Sequence, residues 1–257
     1  MTKGEGKAVL IVLTNVTHLR SHHHDHDHNH NNSSMNACAH PTHVHHRTGF
    51  DIKEMAFLYH TLHKVHNLEL NLASPLGGIC QIDPLSLKAS EHEEAVQQFL
   101  ADDCAMKWCQ CTDKLGTFDL QRFQAVVFVG GPGAMMDFPM ATEAIEETLQ
   151  YVYERKGGVV AAIGHGVAAL IKVRMSNGKR LIEGKSITAN TKEEDREMEL
   201  EDEFPFKLEE ELQRNGADFR KAEAFARNVV IDHRIITGQN RNSTRDWVKQ
   251  LANQLSV

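Results

Sequence analysis

The segment VVAAIGHGVAAL (159–170) holds the pattern best suited to chemistry: an apolar run, a glycine-flanked turn and then a helical run. A buried strand that turns sharply into a helix keeps its central residue in a strained backbone conformation with the side chain free above the sheet. This is how a nucleophile elbow presents serine or cysteine. Here the central residue is Gly164, followed by His165. Glycine adopts the strained conformation at almost no cost, so the turn persists while the nucleophile is absent. Without a thiol or hydroxyl, no covalent intermediate forms at that point.

Three other groups of residues have chemical potential. Eleven of the 17 histidines fall between His18 and His46, with Asp25 and Asp27 interleaved, and neutral imidazoles bind transition metals. The candidate ligands are His22, His24, His26 and His28. A defined site also needs surrounding hydrogen bonds to orient its ligands, which an aperiodic polar run does not supply, so no metal is assigned and no cofactor is expected. The five cysteines (Cys38, Cys80, Cys104, Cys109 and Cys111) are odd in number and irregular in spacing, as suits reduced thiols. Cys109 and Cys111 stand too close for a zinc knuckle, and with Cys104 they fall in a predicted helix away from the elbow, where free cysteine packs as a small hydrophobe. Ser243 and Thr244 read as helix-start residues.

The elements that position the elbow follow from hydrophobic patterning. Strands are predicted at Ala8–Leu13, Leu68–Ala73, Ala125–Val129, Val159–Ile163, Ser186–Thr188 and Val229–Ile231. Runs such as AVVFV and VVAAI lack polar alternation, as expected of parallel strands covered on both faces. Helices are predicted at Ile52–His66, Glu91–Cys111, Thr142–Lys156, Gly166–Val173, Pro205–Asn215 and Ser243–Leu255. Ser90 and Glu93 offer a capping box for the second, and Gly157-Gly158 a stop for the third. Alternating strands and helices indicate an α/β domain, doubly wound around a mostly parallel sheet with helices on both faces. One domain is expected across residues 1–257, interrupted at 21–46 by a His-rich, low-complexity loop insertion. That insertion follows the first strand, so it should leave the carboxyl edge of the sheet, where such folds place ligands.

The composition is 41% hydrophobic and 25% charged, with a formal charge of −7. There is no basic field to attract nucleic acid. The apolar run Ala8–Leu13 is too short for a signal-peptide core or a membrane span, and a cytoplasmic protein is expected.

AAIGHGVAAL resembles the AxxCHGPAAL elbow of the Hsp31-like branch of the DJ-1/PfpI superfamily, with Gly164 where that branch has cysteine. TGFDIKEMAFLYH (48–60) is similar to that branch's first helix, LASPLGGICQIDPLS (72–86) to its second strand and loop, and VFVGGPGAMMDFP (127–139) to its glycine loop. LIEGKSITANTKEED (181–195), FPFKLEEEL (204–212) and VVIDHRIITGQN (229–240) match its C-terminal third. The resemblance implies a flavodoxin-like, class I glutamine amidotransferase-like fold. By it, His165 corresponds to the catalytic histidine and Glu54 to the first-helix carboxylate that hydrogen-bonds the cysteine. Asp195 corresponds to the acidic triad member, with Glu193 and Glu194 as alternatives on a shifted register. Gly131, Gly133 and His165 correspond to the wall and backbone donors of an oxyanion hole, and Pro132 stands where these enzymes usually have histidine.

The branch contains glutathione-independent glyoxalases that convert methylglyoxal to lactate, related deglycases, and stress chaperones. Its thiol-dependent activities are not expected with Gly164. The resemblance instead implies a non-catalytic binding or complex-subunit protein with a small-molecule pocket, and by family habit a homodimer. GHGVAAL and ITGQNRNST together resemble cysteine-lacking members, which implies a place in an endosomal protein assembly.

Overall fold

The run Ala8–Val12 (AVLIV) is buried at every position, because its two faces feed two different apolar clusters. Leu10 and Val12 enter one, with Val126, Phe128, Val160 and Ala162. Val9 and Ile11 enter the other, with Ala125, Val127, Ala161 and Ile163. This double burial is why the central strands show no polar alternation.

The computed structural model describes residues 8–19 and 46–256. Its strands are β1 (Ala8–Val12), β2 (Glu69–Ser74), β3 (Asp113–Lys114), β4 (Phe123–Phe128), β5 (Val159–Ile163), β6 (Ser186–Ile187), β7 (Asp218–Phe219), β8 (Val229–Asp232) and β9 (Ile235–Gly238). Seven of them form one sheet in the order β3-β2-β1-β4-β5-β9-β8, parallel except for the antiparallel pair β8 and β9. One cluster is covered by the helices Ile52–Leu58, Glu94–Leu100, Asp103–Gln110 and Thr244–Gln254, the other by Thr142–Leu149, the elbow helix and Leu208–Arg214. The winding direction reverses between β1 and β4, so the loops leaving their carboxyl ends diverge and open a crevice there.

Several predicted elements differ in detail. The strand predicted at Ser186–Thr188 pairs with β7 in a separate two-stranded sheet, and the one predicted at Val229–Ile231 is the antiparallel edge strand. Its neighbour β9 was not predicted, because the turn between them, His233-Arg234, lacks the Asn-Gly type of hairpin signal; His233 itself adopts φ 53°. The helix predicted over Glu91–Cys111 is two helices, since the Asp102 carboxylate caps a new start by accepting the Cys104 and Ala105 N–H groups. The Ser90–Glu93 capping box does not form: helix Glu94–Leu100 begins without a side-chain cap. A capping box forms instead at Thr191 and Glu194.

Residues 20–45 and Cys38 lie outside the described residues, and with them the candidate ligands His22, His24, His26 and His28. The flanking chain is described. The Leu19 N–H donates to His46 C=O and the Thr48 N–H to Thr17 C=O, each at 2.9 Å, so the two ends of the insertion meet in one antiparallel bridge beside the carboxyl edge of β1. No helix among the described residues is long and apolar enough to cross a membrane.

Phe128 is fully buried and packs edge-to-face on Phe138, with ring centroids 5.8 Å apart. Truncation leaves a cavity that the close-packed sheet cannot fill. Phe128→Ala is expected to lower unfolding free energy by about 3–5 kcal/mol, read as a lower urea midpoint at unchanged slope.

Candidate functional site: the elbow pocket

β5 ends at Ile163, and the chain turns at Gly164 with φ +55° into the 3₁₀ helix Gly164–Leu170. A Cβ on Gly166 would lie 2.6 Å from the Phe128 carbonyl oxygen, so only glycine lets this helix sit so close to β4. A Cβ on Gly164 would meet something different: Asn190 Oδ1 at 2.9 Å and Glu54 Oε1 at 3.6 Å. The tip of the elbow therefore points at two polar side chains.

Glu54 stands in the first turn of helix Ile52–Leu58, which Asp51 caps by accepting the Lys53 and Glu54 N–H groups. Its Oε2 accepts the Gly130 N–H at 2.6 Å, and the residue is 2% exposed. Burial, seconded by the nearby Asp51 charge, drives its pKa well above the ordinary value; the Gly130 N–H and Arg241 oppose this and are outweighed. The carboxyl is held toward its neutral form.

His165 Nε2 lies 2.8 Å from Asp195 Oδ1, with both residues buried, and the ring packs edge-to-face on Phe204 at 4.9 Å. Asp195 is supplied by the helix Lys192–Glu197. Of its neighbours on a shifted register, Glu193 is exposed, while Glu194 accepts from the Thr191 and Phe225 N–H groups and from the Asn240 and Gln239 amides.

The glycine loop after β4 completes the wall. Gly131 has φ +109°, and a Cβ there would lie 2.3 Å from the Gly49 carbonyl oxygen. Gly131, Pro132, His165, Glu54 and Asn190 line a cavity of about 160 Å³ with Arg241 at its rim. Gly133 does not line it and packs against Thr14 and Val16. The structure thus brings together Glu54, Gly131, Gly164, His165 and Asp195 and leaves Gly133 aside. A larger cavity of about 580 Å³ lies next to the first, sharing Pro132 and Met198, and is lined by Leu19, His46 and Leu85 among others.

Sequence reasoning did not single out Asn190 or the ion pair between Arg241 and Asp51. For Asn190 the available signal was a lone amide just after the β6 segment, ahead of a capped acidic helix. The four described cysteines stand apart from this constellation. Burial pushes the Cys80 thiol up to about 11 and raises Cys109 as well, while Cys104 and Cys111 are exposed. Among the described residues no cluster of His, Cys, Asp and Glu is arranged to hold a metal ion.

The DJ-1/PfpI family model matches residues 103–254, more than half of the chain and including the glycine loop, the elbow and Asp195. The chain belongs to the DJ-1/PfpI family. Among solved structures, the Francisella tularensis Rapid Encystment Protein of 24 kDa is 30% identical, with a TM-score of 0.82 over 97% of this chain and 99% of that one. Glyoxalase III from Candida albicans shares the fold at a TM-score of 0.74 and 20% identity, covering 96% of each chain. Among curated proteins, the Bos taurus glutamine amidotransferase-like class 1 domain-containing protein 1 is 30% identical over 138 residues, 54% of this chain and 62% of the bovine one. A probable glutathione-independent glyoxalase of Schizosaccharomyces pombe is 32% identical over 132 residues, 49% of this chain and 59% of that protein. The matched stretch thus spans about three-fifths of these curated relatives.

Two glycines with positive φ separate strain from collision. Gly178→Ala, at φ +78° in open space, is expected to cost about 1–2 kcal/mol from backbone strain alone. Gly131→Ala adds a clash with fixed backbone and is expected to cost roughly 2 kcal/mol more, measured as the difference between the two variants in denaturant unfolding.

Proposed function

We propose that this DJ-1/PfpI protein is of the Hsp31-like type, that Gly164 occupies the nucleophile position, and that the protein works by binding rather than by covalent catalysis. The observation that carries this reading is the setting of Gly164. Its positive φ is that of an elbow tip, and a side chain there would project between Glu54 and Asn190, beside the paired His165 and Asp195. In a thiol-bearing elbow a neighbouring imidazole and carboxyl tune the nucleophile's pKa and orientation. Here the side chain that would use them is a hydrogen atom, and the surrounding frame is intact. The paired His165 and Asp195, with no thiol to activate, become a rigid polar wall. The partners of such a protein would be a second copy of the chain or a larger protein assembly.

Methylglyoxal turnover tests this reading, with wild type, Gly164→Cys and Gly164→Cys/His165→Ala assayed at equal concentration. Wild type is expected to match the buffer rate. Gly164→Cys is expected to fold, because the Asn190 amide is a movable chain end and the left-handed backbone costs about 1–2 kcal/mol. It is expected to gain turnover that the added His165→Ala abolishes. Turnover by wild type that falls on His165→Ala alone would overturn the reading.

A further inference from the structure

The atoms facing the 160 Å³ cavity divide into engaged and unengaged groups. Both cations on its wall are already matched: Arg241 is ion-paired with Asp51, and Lys53 Nζ lies 2.6 Å from Glu93 Oε1. His165 Nε2 is held by Asp195, and the Asn240 side chain is bound to Glu194, the Ala226 carbonyl and Ser243. Two groups remain. The Asn190 side-chain amide, in a residue 7% exposed, has no hydrogen-bond partner among the described residues, and neither does Glu54 Oε1, in a residue 2% exposed. Both face the spot that Gly164 leaves vacant, at 2.9 and 3.6 Å from where its Cβ would be.

Buried polar groups are normally paired, and two that converge on one empty spot are the mark of a ligand site. We propose that this cavity binds the carboxamide end of a small uncharged molecule, with Asn190 Oδ1 accepting from its NH2 and the protonated Glu54 Oε1 donating to its carbonyl. This rests on the reading of the elbow as lacking a nucleophile, since a side chain at residue 164 would occupy the same spot. A primary carboxamide offers one donor and one acceptor side by side, which complements an acceptor on Asn190 and a hydroxyl donor on Glu54. A carboxylate offers two acceptors. It would bring a charge into a wall whose two cations are already paired, so it is disfavoured on desolvation. The burial that raises the Glu54 pKa supports the donor assignment. The volume is well below the roughly 300–1,000 Å³ of drug-sized sites, so the part bound is a fragment of a few heavy atoms, with Met198 and Phe225 as apolar walls.

Saturation-transfer NMR on the full chain, with propionamide and lactamide against propionate and lactate as probes, tests the proposal. The amides are expected to bind with Kd on the order of millimolar, as befits so few atoms. The matching carboxylates are expected to be at least about tenfold weaker at neutral pH. Asn190→Leu, which removes the acceptor, is expected to weaken amide binding about tenfold, and Gly164→Ala, which fills the spot, to abolish it, with folding of each checked by denaturant melts. Carboxylates binding as well as amides, or amides binding Asn190→Leu as tightly as wild type, would overturn the proposal. So would absence of amide binding to wild type. Methylglyoxal turnover is scored separately, so the proposal can fail while Gly164→Cys still gains activity, and the elbow reading can fail through wild-type turnover whatever the amides do.

Discussion

The hydrogen bond from the Gly130 N–H to the Glu54 carboxyl, 2.6 Å long and sealed from solvent, joins the first helix to the loop after β4. The turn after β5 packs on the same point. A Cβ on Gly130 would lie 2.7 Å from the Ile163 carbonyl oxygen and 3.0 Å from Glu54 Oε2, so only glycine allows the three segments to converge. Leaving that buried N–H without an acceptor would cost roughly 1–3 kcal/mol. That N–H bond favours the charged form but does not offset removal of the carboxyl from water next to Asp51, so the Glu54 pKa lies well above its ordinary value. Arg241, the cation nearest to hand, is already held by Asp51.

Two adjacent carboxylates on the helix Lys192–Glu197 divide the remaining work between them. Asp195 holds His165, whereas Glu194 gathers the Thr191 cap, Phe225 and Asn240. Phe225 sits in the left-handed region at φ 60°, with its N–H held by Glu194 and its carbonyl by the Asn242 amide. The cavity wall is therefore tied to the same short helix that positions the imidazole. The strain at Phe225 is sustained by those bonds.

Much of this was legible in the sequence, for identifiable reasons. Strands buried on both faces announce themselves as unbroken apolar runs, which is why β1, β4 and β5 were located to within a residue or two. The strand-turn-helix around Gly164 carries its own signature in glycines and small residues, and the family resemblance placed Glu54, His165 and Asp195 around it. Three strands were missed. β3 and β7 have two residues each, and β9 follows a hairpin turn made by His233 rather than by glycine or asparagine. Asn190 escaped because its importance is relational: nothing in SITANT marks it until the elbow is folded against it. The family resemblance grouped Gly133 with Gly131 on the pocket wall, yet it meets Thr14 and Val16 instead.

The chemical character of the site follows from a buried acid whose pKa is raised by burial, set beneath the turn that Gly164 makes after β5. The most direct test is a ¹³C NMR titration of the Glu54 side-chain carboxyl in the intact protein, with Glu54→Gln used to assign the signal. The account predicts a resonance that stays in its protonated position well above pH 4.5, the ordinary value for this group. A carboxyl that titrates near that value would place a charge in the cavity and contradict the account.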